Sequence, residues 1–264
     1  PDAALLSETM DQSRFTNVRL VIPGFSSWSV GTLVVSNCSF AFEQPLDLVV
    51  TDTCVIVNGA LSLRGNMTLQ YGNLTLAGGG ALHLTAMPTN EASPDYGALL
   101  AIGGDLLIES NGWFNPYADR TNGATVLARM QNLQIAAGGG INADGKGFQD
   151  TKGPGAVGIA TTGGAGHGGT GNAVNSVAGA VYGSTNYPVL PGSGGGLAIY
   201  GGFGGGAVRL AVTNTATVNG LITANGLGNL STDAGCGSGG SILLECQTFG
   251  GAGLLSAWGG SGQF

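Results

Sequence analysis

From Gly59 to Thr85 the sequence reads GALSLRGNMTLQYGNLTLAGGGALHLT, in which short alternating apolar runs end at Leu63, Leu69, Leu76 and Leu84. Alternation sends successive side chains to opposite faces of a strand, so the leucines share one face. Runs this short, broken by Gly or Asn every six to eight residues, cannot build an ordinary sandwich, whose turn signals come about every 8 to 12 residues. They suit a solenoid with about three short strands per coil.

A repeat supports the same reading. GGGAVRLAVTNTATVNGLITANG (Gly204 to Gly226) is followed by GSGGSILLECQTFGGAGLLSAWGG (Gly237 to Gly260). Val208, Leu210 and Val212 align with Ile242, Leu244 and Cys246, and Ile222 to Gly226 aligns with Leu255 to Gly259. The half-repeat recurs as Ile141 to Gly145, after the strand Leu133 to Ala136. Self-similarity at a few tens of residues means stacked units that bury their apolar faces only against neighbours. The Gly closing each unit is expected at a tight corner with positive φ, where a Cβ is costly. Arg209 and Glu245, out of phase with the apolar set, are expected to point to solvent.

Glycine supplies 51 residues and charged residues only 9%, against about 7% and about 25% in ordinary globular chains. Apolar residues at 43% still give enough buried surface to offset ordering entropy, so the chain folds. The expectation is an all-β, single-domain right-handed parallel β-helix over residues 1–264 with long glycine-rich insertions. N-terminal rungs occupy 1–132 and a glycine-rich repeat portion occupies 133–264. A net charge of −7 with eight Lys and Arg leaves no basic stripe for a phosphate backbone, which excludes nucleic acid as partner. No apolar run reaches the roughly 18 residues of a membrane span, and no signal-peptide pattern opens the chain. It begins at Pro1 rather than Met, as a processed form or a fragment would.

Three segments interrupt the pattern: Met87 to Tyr96, Gly112 to Gly123, and Asp144 to Phe203. The last is densest in glycine, with GGAGHGGTG (Gly163 to Gly171) and PGSGGG (Pro191 to Gly196). It reads either as a flexible linker or as glycine strands packed in extended polyproline-II-like form. The ordered reading is favoured because Val157, Ile159, Val174, Val177, Val181 and Tyr182 offer apolar anchors.

INADGKGF, GHGGTG, YGS, GSGGG, GGGAVRLAV, VNGLITANG and GSGGSILL, in this order between Ile141 and Leu244, resemble a glycine-rich repeat region of large secreted or surface proteins of bacteria and protists. The resemblance covers about Leu133 to Phe264. It implies a β-helical extracellular architecture and a role in surface fibres or adhesion, and it carries no catalytic residues.

Candidate site residues are few. Cys38, Cys54, Cys236 and Cys246 fall in two sequence-local pairs without C-x-x-C spacing and read as two disulfides rather than a zinc site; buried thiols are the alternative. N-x-[ST] sequons begin at Asn37, Asn66, Asn73 and Asn229. The alternation around Asn66 and Asn73 turns both to solvent. Trp113, Phe114, Tyr117, Tyr182, Tyr187, Tyr200 and Phe203 fall in the interruptions, where they pin loops or stack on sugars; Trp113, Tyr117 and Tyr187 are the candidate glycan contacts. Asp105 and Glu109 form the nearest carboxylate pair, about 13 Å apart on one strand, too far for a retaining glycosidase. His83 is expected exposed and His167 in a glycine loop, and two isolated histidines make no metal cluster. No catalytic, cofactor or metal site is expected.

The expected function is an extracellular structural module of a surface fibre or filament, not an enzyme, with partners in other copies of itself, other surface proteins or glycans. A glycan-binding adhesin or phage-type receptor-binding module is the alternative, and a polysaccharide lyase or hydrolase the second. The sequence shows no polar cap at Gly262 to Phe264, so a further domain or end-to-end stacking is expected, with the amphipathic segment Pro1 to Phe15 as joining element.

Overall fold

A computed structural model describes residues 9–11, 19–21, 26–89, 93–159, 162–172, 177–197, 199–231 and 233–262. Every regular element among them is a β-strand, three to seven residues long. Each strand pairs in parallel with the third strand before it and the third after it. One coil therefore contributes one strand to each of three sheets. Sheet A runs from Thr9–Asp11 to Thr248–Gly250 in eight strands, sheet B from Arg19–Val21 to Leu254–Ser256 in eight, and sheet C from Ser27–Val30 to Ser241–Glu245 in seven. The coiled tube of parallel strands is the architecture that the short alternating runs require.

Register lines the inward side chains into columns. In sheet A, Leu33, Cys54, Leu74, Leu106, Leu133 and Ala216 stand over one another. In sheet B the column is Phe40, Leu61, Leu82, Phe114, Ile141, Ile222 and Leu255. In sheet C it is Trp28, Leu48, Met67, Leu100, Ala128, Leu210 and Leu244. The repeat alignment holds residue for residue, since Val208 pairs with Ile242 and Ile222 with Leu255. All members of these columns but Leu255 and Leu244 are buried, each contributing roughly 1.5–3 kcal/mol for a large aliphatic or aromatic side chain.

The interruptions divide. Met87 to Tyr96 and Asp144 to Phe203 do lie between strands, but Gly112 to Gly123 contains the rung Trp113–Tyr117, with Phe114 in the core. The aromatic run hid an ordinary alternation. Arg209 is also corrected: it faces outward from sheet C, yet it is 2% exposed. The segment before strand Ala98–Ile102 folds over that face, and Asp95 takes the guanidinium in a bidentate pair at 2.9 and 3.0 Å. Arg209 donates further to Asp95 O and Thr125 Oγ1. Burial here is imposed by a loop remote in sequence, which strand phase cannot reveal.

The segment from Asp144 to Phe203 holds no strand among its described residues, yet it is ordered by backbone hydrogen bonds. Gly166 N–H donates to Gly155 O, Gly171 to Gly179 O, Gly179 to Gly164 O and Gly196 to Gly163 O, at 2.9–3.0 Å. The layer then joins the following coil, where Gly202 N–H donates to Gly235 O and Gly205 N–H to Ser238 O. Val157 and Ala165 are buried and Tyr182 half-buried, but Ile159, Val177 and Val181 are exposed; Val174 lies outside the described residues. Peptide contacts therefore replace the expected apolar anchors. The glycines of this layer are used for close approach rather than for left-handed geometry. A Cβ on Gly235 would collide with the carbonyl oxygen of Gly163, and Gly235 does not have positive φ. The corner expectation is met at Gly145, with φ 61°, but not at Gly226, which instead packs against the Gly237 carbonyl.

None of the four cysteines is in a disulfide bond. Cys54 occupies the sheet A column between Leu33 and Leu74, where burial pushes its thiol up to about 12. Cys38 precedes a sheet B strand, so the two thiols belong to different walls of the tube. Cys236 lies in the loop after the glycine layer and Cys246 follows strand Ser241–Glu245, packed against the core.

Two pairs of substitutions check this picture by equilibrium urea unfolding. Leu74→Ala is expected to remove about 3 kcal/mol of stability, whereas Thr75→Ala, facing outward from the same strand, changes it by less than about 0.5 kcal/mol. Gly235→Ala is expected to cost at least about 2 kcal/mol through overpacking, and Gly168→Ala, where a Cβ meets open space, less than about 0.5 kcal/mol.

Candidate functional site

The corners between strands need polar side chains that satisfy loop amides, and Asn and Asp supply them by bonding nearby backbone. Asn73 Oδ1 accepts Asp105 N–H at 2.8 Å, Asp105 Oδ1 accepts Asn132 N–H at 3.1 Å, and Asn132 Oδ1 accepts Thr215 N–H at 3.2 Å. These residues precede successive sheet A strands and tie coil to coil. A second ladder follows sheet B, where Asp144 Oδ1 accepts Asn225 N–H at 2.6 Å and Asn225 Oδ1 accepts Trp258 N–H at 2.8 Å. The sequons fall on this scaffold. Asn66 is exposed, and its carboxamide donates to Asp47 and accepts Leu99 N–H. Asn73 is half-buried, and Asn37, at φ 54°, accepts from Asn58 Nδ2 at 2.6 Å. Asn229 is 8% exposed, with Nδ2 donating to Ala234 O. Asp105 and Glu109 flank strand Leu106–Ile108 rather than share it, and Asp105 belongs to the ladder.

Where the glycine layer meets the last coil there is an open cleft of about 1260 Å³, bordered by His167, Tyr182, Asn229, Asp233, Cys236 and Ser256 among many glycines. His167 Nδ1 lies 2.9 Å from Gly239 O. A carbonyl only accepts, so Nδ1 carries the proton and Nε2 keeps its lone pair. Burial lowers the His167 pKa, against the raising effect of the Gly239 and Gly240 backbone. The ring packs on Tyr182 at 4.6 Å. Tyr182 O–H donates to Pro191 O, Ser193 O–H donates to Tyr182 Oη at 2.9 Å, and burial pushes the Tyr182 phenol up to about 12. Every partner in this chain is internal, so it serves to hold the cleft wall.

A second polar cluster lies on the outer face of sheet B. Register places Ser62, His83 and Asn115 in one outward row and Arg64, Thr85 and Tyr117 in the next. Strand ends and turns add Arg120 and Lys146. Tyr117 Oη is 3.4 Å from His83 Nδ1, and Lys146 Nζ lies 5.3 Å from the centre of the Tyr117 ring. Lys146 donates to Asn142 Oδ1 at 2.6 Å, and Arg120 covers the Phe203 ring at 4.7 Å. Burial lowers the Lys146 ammonium from 10.5 to about 8; Asp144 raises it and Arg120 lowers it. His83 is lowered by burial and by Lys146, and Tyr117 is raised by burial.

Of the candidate glycan contacts, Trp113 and Tyr117 share this face at the two ends of one strand. Trp113 is half-buried, its ring over Gly140 of the next coil. Tyr187 is 47% exposed in the glycine-rich segment, away from that strand in sequence and in sheet assignment. Sequence reasoning missed Arg64, Arg120 and Lys146. The phase of Arg64 in ALSLR is that of an outward residue, but only the stacking of coils puts it in one row with Thr85 and Tyr117. His83, expected exposed, is half-buried beneath this cluster. Among the described residues, no group of three or more His, Cys, Asp or Glu is placed to hold a metal ion.

No protein-family model, no curated protein and no solved structure matches the chain.

The Lys146 environment gives a titration test. Its folded pKa lies below the unfolded one, so the folded chain binds fewer protons and stability rises with pH between about 8 and 10.5. The Lys146 side-chain carbon resonances are expected to titrate near pH 8.

Proposed function

We propose that this chain is an extracellular structural module that assembles end to end into a surface fibre. The carrying observation is the pair of solenoid ends. The sheets stop at Thr9–Asp11, Arg19–Val21 and Ser27–Val30 at one end and at Thr248–Gly250, Leu254–Ser256 and Ser241–Glu245 at the other. The two ends thus offer opposite edges of the same three sheets, and among the described residues each strand there has one unpaired side. Strand edges of this kind template further pairing, and a head-to-tail contact that does not close generates a filament. The last coil also exposes Phe249, Leu254, Leu255 and Trp258, at 54, 56, 41 and 76%. Phe249 and Leu255 continue the sheet A and sheet B columns, and Leu254 and Trp258 add apolar surface beside them. The winding is read as right-handed, the hand of about 98% of parallel crossovers. An extracellular setting is supported by the resemblance to surface-protein repeats and by the exposed sequon at Asn66.

A second reading, a glycan-binding adhesin or phage-type receptor-binding module, is favoured by the cleft beside the last coil, rimmed by backbone, Asn, Ser and Thr groups. No catalytic role is proposed: Asp105 acts in the corner ladder and Glu109 is exposed beyond its strand.

Negative-stain microscopy and sedimentation of the purified chain across a concentration series test the fibre reading. Rods that lengthen with concentration, and shorten in Leu254→Lys and Trp258→Lys variants, are expected. A monodisperse short rod at the highest soluble concentration overturns it.

A further inference from the structure

The chain carries eight Lys and Arg residues and two His in a molecule of net charge −7. Arg64, Arg120, Lys146 and His83 nevertheless gather on one face of sheet B. Gathering cations is unfavourable unless an anion offsets them, and the protein supplies little. Arg64 acts electrostatically on Asp119, and Asp144 on Lys146. Asp119 Oδ1 is taken by Thr121 N–H, Thr121 O–H and Asn122 N–H, and Asp144 Oδ1 by Asn225 N–H. Among the described residues the one ion pair is Arg209 with Asp95, on a different sheet. Arg64 Nε is buried with no acceptor. A buried donor left unpaired is costly and marks a place where an acceptor is missing.

We propose that the outer face of sheet B at Arg64, His83, Tyr117, Arg120 and Lys146 binds an acidic polysaccharide, with its carboxylate or sulfate groups on the three cations and its sugar rings against Tyr117. The spacing favours a polymer over a small ion. Arg64, His83 and Tyr117 stand on three successive coils and Lys146 follows the strand of a fourth. Three steps of about 4.8 Å spread the groups over roughly 14 Å along the stack. Asn115, Asn142 and Thr85 supply neutral polar groups between the charges. Nucleic acid fits less well. Its charge density of one phosphate per about 1.7 Å meets a molecule of net charge −7.

This site does not depend on fibre assembly. Calorimetric titration with oligogalacturonate, sulfated dextran oligomers, neutral dextran oligomers and a single-stranded oligonucleotide tests it. Binding to one or both acidic saccharides is expected, and which one binds separates carboxylate from sulfate recognition. Arg120→Met and Lys146→Met should each weaken it roughly tenfold, the scale of one lost charge-assisted contact. Arg120 is exposed but covers the Phe203 ring, so thermal melting of the Arg120→Met variant separates a lost ligand contact from a loosened glycine layer. Wild-type affinity should fall as pH rises through about 8, and Lys146→Met should lose that dependence. Arg120 and Asp144 are the charged groups acting on Lys146, and across this range the depressed His83 and the raised Tyr117 stay neutral. The proposal is overturned by absence of binding to both acidic saccharides, by equal binding to neutral dextran, by unchanged affinity in both variants, or by tighter binding to the oligonucleotide.

Discussion

Parallel pairing between each strand and its counterpart one coil later is the constraint on which the molecule rests. It fixes the rise between coils at about 4.8 Å and forces like positions over like. Once Leu74 stands above Cys54 and below Leu106, the neighbouring outward residue Thr75 is equally fixed between Val55 and Leu107. Core columns, corner ladders and surface rows are thus three consequences of one register. A polar residue placed once at a corner bonds the coil beside it, as Asp105 does for Asn132.

The glycine-rich half obeys the same spacing with a different material. There the backbone has shed its side chains so that peptide groups of adjacent segments bond directly, as Gly171 does to Gly179 and Gly202 to Gly235. Buried peptide groups must find partners, and the absence of side chains is what lets them reach one another. The layer is tied to the solenoid at Phe203, beneath Arg120, and at Ser238, bonded to Gly205 and Ser193.

Much of the solenoid could be read from the chain because its determinants are local. Alternation placed Leu61, Leu63, Leu82 and Leu84 inward, and the repeat placed Ile242 over Val208. What escaped were effects of residues far apart in sequence. Arg209 has the phase of a solvated side chain and is buried by Asp95, 114 positions earlier. Trp113 to Tyr117 lacked the Val and Leu alternation of the other rungs, although Phe114 fits the sheet B column. The cysteines paired plausibly along the chain, but Cys38 and Cys54 belong to different walls and Cys236 lies in a loop apart from the strand that precedes Cys246. The cation cluster was the least legible feature, since Arg64 and Lys146 come onto one face only through the stacking of successive coils.

The glycine layer has a thermodynamic consequence of its own. Exposing apolar surface on unfolding raises heat capacity, whereas exposing polar surface lowers it. A layer whose interior is mostly peptide groups adds little to that difference, in contrast to the leucine columns that supply most of it. The curve of stability against temperature is correspondingly flattened for a chain of this length, and the folded state loses less of its margin on cooling than a conventional oil-filled interior does.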